Sequence, residues 1–341
     1  LHLAVLLGNA NIVRVLVEHG AALEELTAER RTPLHLAAKY NEASTAYVLL
    51  DAGALVNSRS YGDESSALDL AASNGNEAAM IVLLRHGANV HSCRSTGYTA
   101  LHEAAAANET GAIKLLVEAG VDVDAPDRHG RTPLHTAAEM NVVEAVTALC
   151  EHGADKNRPD RFDNAPIHFA IAGRGNLASV VALLEAGADA NLRCGAGESS
   201  PLDTAATAGN ADIVRVLIRH GVDASAPDSR GRTALHHAAD RNAVGAIDAL
   251  ASAGGDLDAR DVDGRTPLHH ACSWHAFGAV DALLRHGASV NSLDNQGQLP
   301  LHRAACVSRQ DSGLAIVGLL LKWDADETAV DANERNAQEV L

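Results

Sequence analysis

The amino-acid sequence predicts an all-α repeat solenoid, in which stacked helix–turn–helix units are joined by β-hairpin or loop connections. Two short sequence markers recur about every 33 residues and stay in step along the chain. A fixed period of this size is typical of solenoids built from one repeated unit. The length of 341 residues exceeds the ~250–300 residues that one globular core can serve. Hydrophobic residues make up 47% and aromatic residues only 3%, which suits thin, closely packed elements.

The first marker is Thr-Pro-Leu-His or a close variant of it. Its fourth residue is His or Asp, and these residues follow one another at spacings of 33, 34, 33, 33, 33, 35, 33, 33 and 33. Their positions are His2, His35, Asp69, His102, His135, His168, Asp203, His236, His269 and His302. The second marker is a glycine that closes an apolar helical run, at Gly20, Gly53, Gly87, Gly120, Gly153, Gly187, Gly221, Gly254 and Gly287. Two markers locked at one period indicate one unit repeated throughout.

The chemistry of one unit supports the same structure. The Thr132 hydroxyl can cap a helix, and Pro133 suits the first helical position, where no N–H is needed. Leu134 begins a narrow apolar stripe, and Gly153 suits a left-handed stop after the second helix. Both helices are shorter than the ~12–15 residues that an isolated helix needs in water, so stacking must stabilise them.

This 33-residue unit with its Thr-Pro-Leu-His marker resembles the ankyrin repeat family, and the resemblance covers essentially the whole chain. It implies that hairpin tips and inner helices form a concave protein-binding surface, and that the marker histidines bond within and between repeats. We expect one domain over 1–341 with approximate repeats at 1–26 (partial), 30–59, 63–93, 97–126, 130–159, 163–193, 198–227, 231–260, 264–293, 297–329 and 333–341 (a cap or a truncated repeat).

Two repeats depart from the pattern in the same way. Those at Asp69 and Asp203 each have an extra hairpin residue and a Glu-Ser-Ser tripeptide, and they lie 134 residues apart. Three marker pairs share that offset, which indicates tandem duplication of a four-repeat block. Residues 173–175 and 194–198 lengthen a turn and a hairpin. The chain begins in mid-repeat, so we expect a fragment of a longer protein.

Composition and charge exclude several classes of function. A net charge of −17 argues against nucleic-acid binding, which needs a basic face. The sequence contains no run of ~18 apolar residues, so we expect no membrane insertion. Five scattered cysteines without a Cys-x-x-Cys pair favour free thiols in a reducing compartment, cytoplasmic or nuclear. We expect no cofactor, no bound metal, no enzymatic activity and a monomeric domain.

The densest group of metal-ligand residues is His269, His270, Cys272 and His275. Consecutive helical residues point about 100° apart, so His269 and His270 cannot both face Cys272. A zinc site is therefore the weaker interpretation, and structural histidines are the stronger one.

The candidate partner-binding residues follow from the resemblance, because family surfaces vary beside the hairpin glycine and after the Ala-Ala pair of the inner helix. Five of the nine aromatic residues fall on these slots, and exposed Trp, Tyr and Arg are typical of contact sites. The candidates are Tyr40, Tyr61, Tyr98, Arg128, Arg131, Met140, Arg161, Phe162, Arg232, Arg241, Arg265 and Trp274.

Two questions stay open at this level. His237, His270 and Arg303 follow the marker residue in successive repeats, either as a cationic ladder for an acidic partner or as packing positions. The expected function is a scaffold or adaptor that binds a protein or peptide along a concave groove. The alternative is the recognition arm of a multidomain enzyme or channel, whose catalytic part lies outside this sequence.

Overall fold

The computed structural model describes residues 1–173, 177–195, 198–306 and 311–337. Parts of the expected insertions, residues 174–176 and 196–197, and the end of the last expected unit, 338–341, lie outside the described residues. In the described part every regular element is a helix. The only β-type pairings there are isolated antiparallel bridges at hairpins, for example between Arg59 and Ser66. The predicted all-α repeat fold is confirmed.

Twenty helices alternate along the described chain between inner helices, which begin at the first marker, and outer helices, which end before the glycine. They are α1 (His2–Leu6), α2 (Ala10–Glu18), α3 (Pro33–Lys39), α4 (Ala43–Asp51), α5 (Ala67–Ser73), α6 (Glu77–Arg85), α7 (Ala100–Ala107), α8 (Thr110–Glu118), α9 (Pro133–Met140), α10 (Val143–Glu151), α11 (Pro166–Ala172), α12 (Leu177–Glu185), α13 (Pro201–Thr207), α14 (Ala211–Arg219), α15 (Ala234–Asp240), α16 (Val244–Ser252), α17 (Pro267–Ser273), α18 (Phe277–Arg285), α19 (Pro300–Cys306) and α20 (Asp311–Lys322).

The helices gather into two compact units. The first unit consists of 1–170 with 185–188, and the second of 171–184 with 189–341. Within the first unit the inner helices α1, α3, α5, α7 and α9 pack in sequence, and the outer helices from α2 to α10 form a parallel row. Within the second unit α13, α15, α17 and α19 form the inner row, and α14, α16, α18 and α20 the outer row.

The core of each unit is a column of small and branched apolar side chains. In the repeat of α9 and α10, Leu134, Ala137, Ala138, Val146 and Leu149 are fully buried. Alanine pairs lie buried at the same place in most inner helices, and such small side chains allow packed helices to approach closely. Residues that the sequence places on the apolar stripe therefore form the core.

Helix starts and stops follow the predicted local chemistry. Thr132 is the N-cap of α9 in extended conformation, and Pro133 occupies its first position. Gly153 adopts φ of 88°, a left-handed conformation that favours glycine after a helix. The outer helix α10 therefore ends where the second marker predicts.

Candidate partner-binding surface

The marker histidines join each repeat to the next. In α9 the backbone N–H of Thr132 donates to Nδ1 of His135 at 3.0 Å, and Nε2 of His135 donates to the carbonyl of Asn164 in the following repeat at 3.0 Å. The same two contacts occur at His35, His102, His236, His269 and His302, with 3.0–3.2 Å from Nε2 to the next carbonyl. Nδ1 accepts and Nε2 donates, so these rings bridge repeats as neutral imidazoles.

The electrostatics of these rings agree with that geometry. Burial lowers the pKa of His102, His236 and His269 to about 4, although the hydrogen bond to the next carbonyl partly opposes the shift. Burial also lowers the pKa of His35 and His135. The structural role that the sequence resemblance implies for the marker histidines is the one their contacts support.

The side chains that were weighed as a zinc site are engaged in other contacts. His269 bridges two repeats through both ring nitrogens, and both nitrogens of His270 contact carboxylates, Asp240 at 2.8 Å and Asp261 at 3.0 Å. Cys272 is buried, which raises the pKa of its thiol. Among the described residues no cluster of three or more His, Cys, Asp or Glu side chains has a geometry that could hold a metal ion.

A largely buried aspartate shapes six of the hairpins in the described residues, and it was not among the residues expected from the sequence. One carboxylate oxygen of Asp127 accepts the backbone N–H groups of His129 at 2.8 Å and Arg131 at 2.9 Å. Equivalent paired contacts occur at Asp160, Asp228, Asp261, Asp294 and Asp331. The recurrence of Asp five residues before the marker Thr, as in Asp127 and Thr132, is the signal that could have found it.

Hairpin tips are linked directly to one another by backbone hydrogen bonds. In the first unit the N–H of Arg128 donates to the Thr96 carbonyl at 2.9 Å, and Arg161 donates to His129 at 2.8 Å. In the second unit Val262 donates to Arg230 at 2.9 Å, and Asn295 to Asp263 at 2.9 Å. Within each unit the tips therefore form a fixed row beside the inner helices.

Three predicted contact residues are attached to this framework. Arg131 pairs with the buried Asp127 at 2.9 Å, and Arg232 pairs with the buried Asp228 at 2.9 Å. Arg265 is half-buried and contacts Asp263 at 3.3 Å. Arg131 and Arg232 therefore help to hold hairpins in shape, and less of each guanidinium is open to a ligand than the sequence suggested.

Tyr98 differs from its expected exposure. Its ring stacks on His102 with 4.7 Å between centroids, and its hydroxyl lies 3.3 Å from Oγ1 of Thr136. The side chain is half-buried, and burial raises the pKa of its hydroxyl. The expectation that Tyr98 is an exposed ring was wrong, because the neighbouring repeat supplies a polar partner and the marker histidine a stacking face.

The remaining candidates lie open on the surface. Tyr61 is 70% exposed and Phe162 is 65% exposed, both at hairpin tips, and Trp274 is 66% exposed at the end of α17. Tyr40 and Met140 lie at the ends of α3 and α9, also exposed. The side chains of three arginines are exposed as well: Arg128, Arg161 and Arg241.

The residues after the marker histidines are paired inside the fold. His237 contacts Asp228 at 3.2 Å, and Arg303 contacts Asp294 at 2.6 Å. Burial opposes a charge on His270, but hydrogen bonds to Asp240 and Asp261 outweigh it and raise the pKa of this imidazole. Of the two interpretations left open, the contacts favour packing positions, because each cation faces its own carboxylate.

The architecture of each unit defines a class of protein before any comparison: a two-layered helical repeat array whose hairpin tips are linked by hydrogen bonds. The sequence matches the family described as "Ankyrin repeats (3 copies)" over residues 1–60, 68–160, 167–261 and 242–331. The chain therefore belongs to the ankyrin repeat family, as its sequence resemblance indicated.

Known relatives are similar over part of their length. A putative ankyrin repeat protein of Fowlpox virus is 36% identical over 95 residues, which is 27% of this chain and 28% of the relative. Ankyrin repeat and SOCS box protein 16 of Homo sapiens is 35% identical over 102 residues, 30% of this chain and 22% of the relative. A probable E3 ubiquitin-protein ligase of Oryza sativa is 38% identical over 96 residues, 28% of this chain and 19% of the relative.

A solved structure shows the same fold. The ankyrin repeat domain of Bcl-3, a member of the IkappaB protein family, superposes with a TM-score of 0.58 at 28% sequence identity. The match covers 65% of this chain and 99% of the Bcl-3 domain. Ankyrin repeats are generally protein-interaction modules. None of the helices in the described residues is long and apolar enough to cross a membrane.

Proposed function

We propose that this chain is an interaction scaffold that binds a segment of another protein along its inner helices and hairpin tips. The observation that carries the proposal is the set of large side chains left open on that face, with Trp274 and Phe162 about two-thirds exposed. Rings in water usually mark contact sites, and Trp, Tyr and Arg contribute most to the energy of interfaces. The rigid rows beneath them limit the entropy lost on binding.

The remaining candidates have graded roles in this proposal. Phe162, Arg128 and Arg161 present a ring and two guanidinium groups on adjacent tips of the first unit. Arg131 and Arg232 orient their hairpins, and Tyr98 supports its repeat. The five cysteines, all among the described residues, form no disulfide bond with one another, which supports a reducing compartment such as the cytoplasm.

A second candidate is the recognition arm of a longer protein that also carries another activity. The chain spans less than a third of each of the three relatives above, and 8% of a glycerophosphocholine phosphodiesterase of Schizosaccharomyces pombe that it matches at 32% identity. Most of each of these proteins therefore lies outside the part that resembles this chain. Binding along the same face is expected in both cases.

Replacing Trp274 with alanine should weaken capture of a natural partner about tenfold or more, because a buried Trp contact is often worth ≥2 kcal/mol. The matched control is Leu314→Ala, which removes an exposed apolar side chain from the outer helix α20. Affinity capture from the source cell with quantitative mass spectrometry measures both variants. Equal partner yields from wild type and Trp274→Ala, with unchanged melting temperatures, would place the site elsewhere.

A further inference from the structure

Three successive inner helices of the second unit end in residues of very different size. The C-cap residues of α13, α15 and α17 are Ala208, Arg241 and Trp274. The three helices pack side by side, so their C-caps form one row. The small methyl group of Ala208 leaves space in front of Arg241, and Trp274 stands on the other side of it.

That space is a cavity of about 460 Å³ whose lining suits an anionic side chain. Its walls are Ala172, Ser199, Thr204, Thr207, Ala208 and Arg241. The hydroxyls of Thr204 and Thr207 donate to carbonyls of their own repeat at 3.1 and 2.8 Å, so these residues contribute methyl groups and acceptor oxygens. Ser199 and Arg241 have no side-chain hydrogen bond in the described structure. The free donors of the cavity are therefore one hydroxyl and one guanidinium.

The charged side chain that lines the cavity, Arg241, favours a negative ligand, although the whole chain carries −17. The aspartates along this face are paired inside the fold: Asp228 with Arg232 and His237, Asp240 and Asp261 with His270, Asp263 with Arg265, and Asp294 with Arg303. Within the described residues, the guanidinium groups of Arg230 and Arg241 have no ion-pair partner. His270 alone faces both Asp240 and Asp261, and Glu198 is exposed at the neighbouring hairpin, so the face as a whole is close to neutral. The free charge in the cavity wall itself is the guanidinium of Arg241.

Glu198 is the exposed acidic residue of the hairpin that borders the cavity. An anionic ligand is repelled by this carboxylate across solvent. Removing the Glu198 carboxylate should therefore tighten binding slightly, which provides a second test that the ligand is negatively charged.

Apolar surface lies next to the free guanidinium. Trp274 is 66% exposed at the end of α17, and Val262 is 65% exposed at the hairpin tip before that helix. The tip is held in place by the bond from Val262 to the Arg230 carbonyl. Adjacent inner helices lie ~8–10 Å apart, and an extended peptide advances ~3.3 Å per residue. A ligand that reaches both Arg241 and Trp274 therefore places its contact residues about three positions apart.

We propose that the second unit binds an acidic peptide segment, whose anionic side chain enters the cavity at Ser199 and Arg241 while an apolar side chain about three residues away packs on Trp274. This inference rests on the proposed scaffold function and names the class of its partner. A carboxylate and a phosphorylated side chain share the anionic chemistry that the cavity recognises. Guanidinium–anion pairs supply direction, and the indole supplies apolar area.

Trp274 itself can report binding, because the chain has only two tryptophans and Trp323→Phe leaves one indole. The probes are short Gly/Ser peptides carrying Glu-x-x-Leu, and three counterparts with Lys, Ser or phosphoserine in place of Glu. The Glu peptide should shift Trp274 emission, bind more weakly as salt increases, and bind about tenfold more tightly than the Lys peptide. Phosphoserine binding clearly tighter than Glu identifies a phosphorylated partner, and equal or weaker binding identifies a carboxylate.

Two charge reversals form a matched pair. Arg241→Glu should weaken binding of the Glu peptide about tenfold or more, and Arg219→Glu, on the outer helix α14, should leave it within about twofold. Glu198→Gln should strengthen it. Equal binding of Glu and Lys peptides, equal loss from both reversals, or no response to any anionic peptide up to about 1 mM would overturn the proposal. In that case Trp274-dependent capture of a natural partner keeps the scaffold function, and only the acidic class of partner fails.

Discussion

In repeats with a histidine marker and in the two repeats with an aspartate marker, the marker side chain accepts the N-cap backbone N–H of the inner helix, but the two kinds of repeat differ at the junction with the next repeat. Oδ2 of Asp69 accepts the backbone N–H of Ser66 at 2.8 Å and its hydroxyl at 2.9 Å, and Asp203 accepts the same two groups of Ser200 at 2.9 and 2.8 Å. A carboxylate has no proton to donate onward. His135 caps its helix and also donates to Asn164 in the next repeat at 3.0 Å.

The difference teaches that capping is a local property and bridging is a property of the stack. Both aspartate repeats follow a longer hairpin, in which a preceding arginine donates to a glutamate carbonyl: Arg59 to Glu64 and Arg193 to Glu198, each at 2.9 Å. These contacts are 134 residues apart, as the tandem-duplication hypothesis predicts. At the hairpin before Asp69, the guanidinium of Arg94 in the next repeat also donates to the hydroxyl of Ser65 at 2.7 Å. This hydrogen bond links the two repeats without a histidine.

Acid should have the largest effect, because it acts on all histidine junctions at once. Unfolded histidines bind protons below pH ~6.5, whereas His102, His236 and His269 stay neutral until about pH 4. Protons therefore favour the unfolded chain in that window, and stability present above pH ~6.5 is lost as pH falls towards 4. The expected loss by pH 5 is on the order of 2 kcal/mol for each of these histidines.

Thermal denaturation between pH 7 and pH 4.5 measures this loss, and NMR titration of the imidazoles assigns it. Burial raises the pKa of Asp69, so its effect on stability has the opposite pH dependence to that of the histidines. The stability that Asp69 contributes is present at low pH and is lost as pH rises through its folded-state pKa. The variant Asp69→Asn removes that opposing contribution. A melting temperature that does not change between pH 7 and pH 5 would contradict neutral, buried bridging histidines.

Core truncation should cost the same in both kinds of repeat. Leu134 beside His135 and Leu68 beside Asp69 are both buried, so Leu134→Ala and Leu68→Ala should each lower the free energy of unfolding by ~2–5 kcal/mol through lost packing. Urea denaturation at an unchanged m-value provides the comparison. A much smaller loss at Leu68 would mean that the two kinds of repeat also differ in apolar packing.

Exchanging the marker residues tests the bridge itself and should have the smallest effect. His135→Asp keeps a cap for Thr132 but removes the donor to Asn164, so the expected loss is about 1–2 kcal/mol. The carbonyl of Asn164 still accepts the N–H of Asp160 at 2.9 Å, which limits the cost. The reciprocal Asp69→His should gain about 1 kcal/mol or less.

The effect of these two substitutions is measured by hydrogen exchange at the hairpin amides, because that method resolves single junctions between repeats. Faster exchange in the hairpin at Asp160 is expected for His135→Asp, with little change in distant repeats. Equal stability of His135→Asp and wild type would show that the bridge contributes nothing beyond the cap.

The exposure of most candidate side chains was predictable from the sequence, and the exceptions have one cause. Phe162, Trp274 and Arg241 are exposed because their position within the repeat places them outside both helix layers. Tyr98 and Arg131 lie at repeat positions that are also expected to be exposed, but Tyr98 packs on His102 and Arg131 pairs with Asp127. A position in the repeat predicts which face a residue occupies, and it does not predict whether a neighbour already satisfies that residue.

The sequence by itself determined the repeated unit, the residues that start and stop its helices, and its core, because capping residues, apolar stripes and left-handed glycines act within one unit. The tertiary structure alone decided which cations are free. Arg232, His237, His270 and Arg303 each meet a carboxylate when the hairpins fold against the inner helices, and Arg241 meets none among the described residues. Pairing depends on distances between elements rather than on spacing along the chain, and for that reason the uncompensated positive charge beside Trp274 emerges only from the folded units.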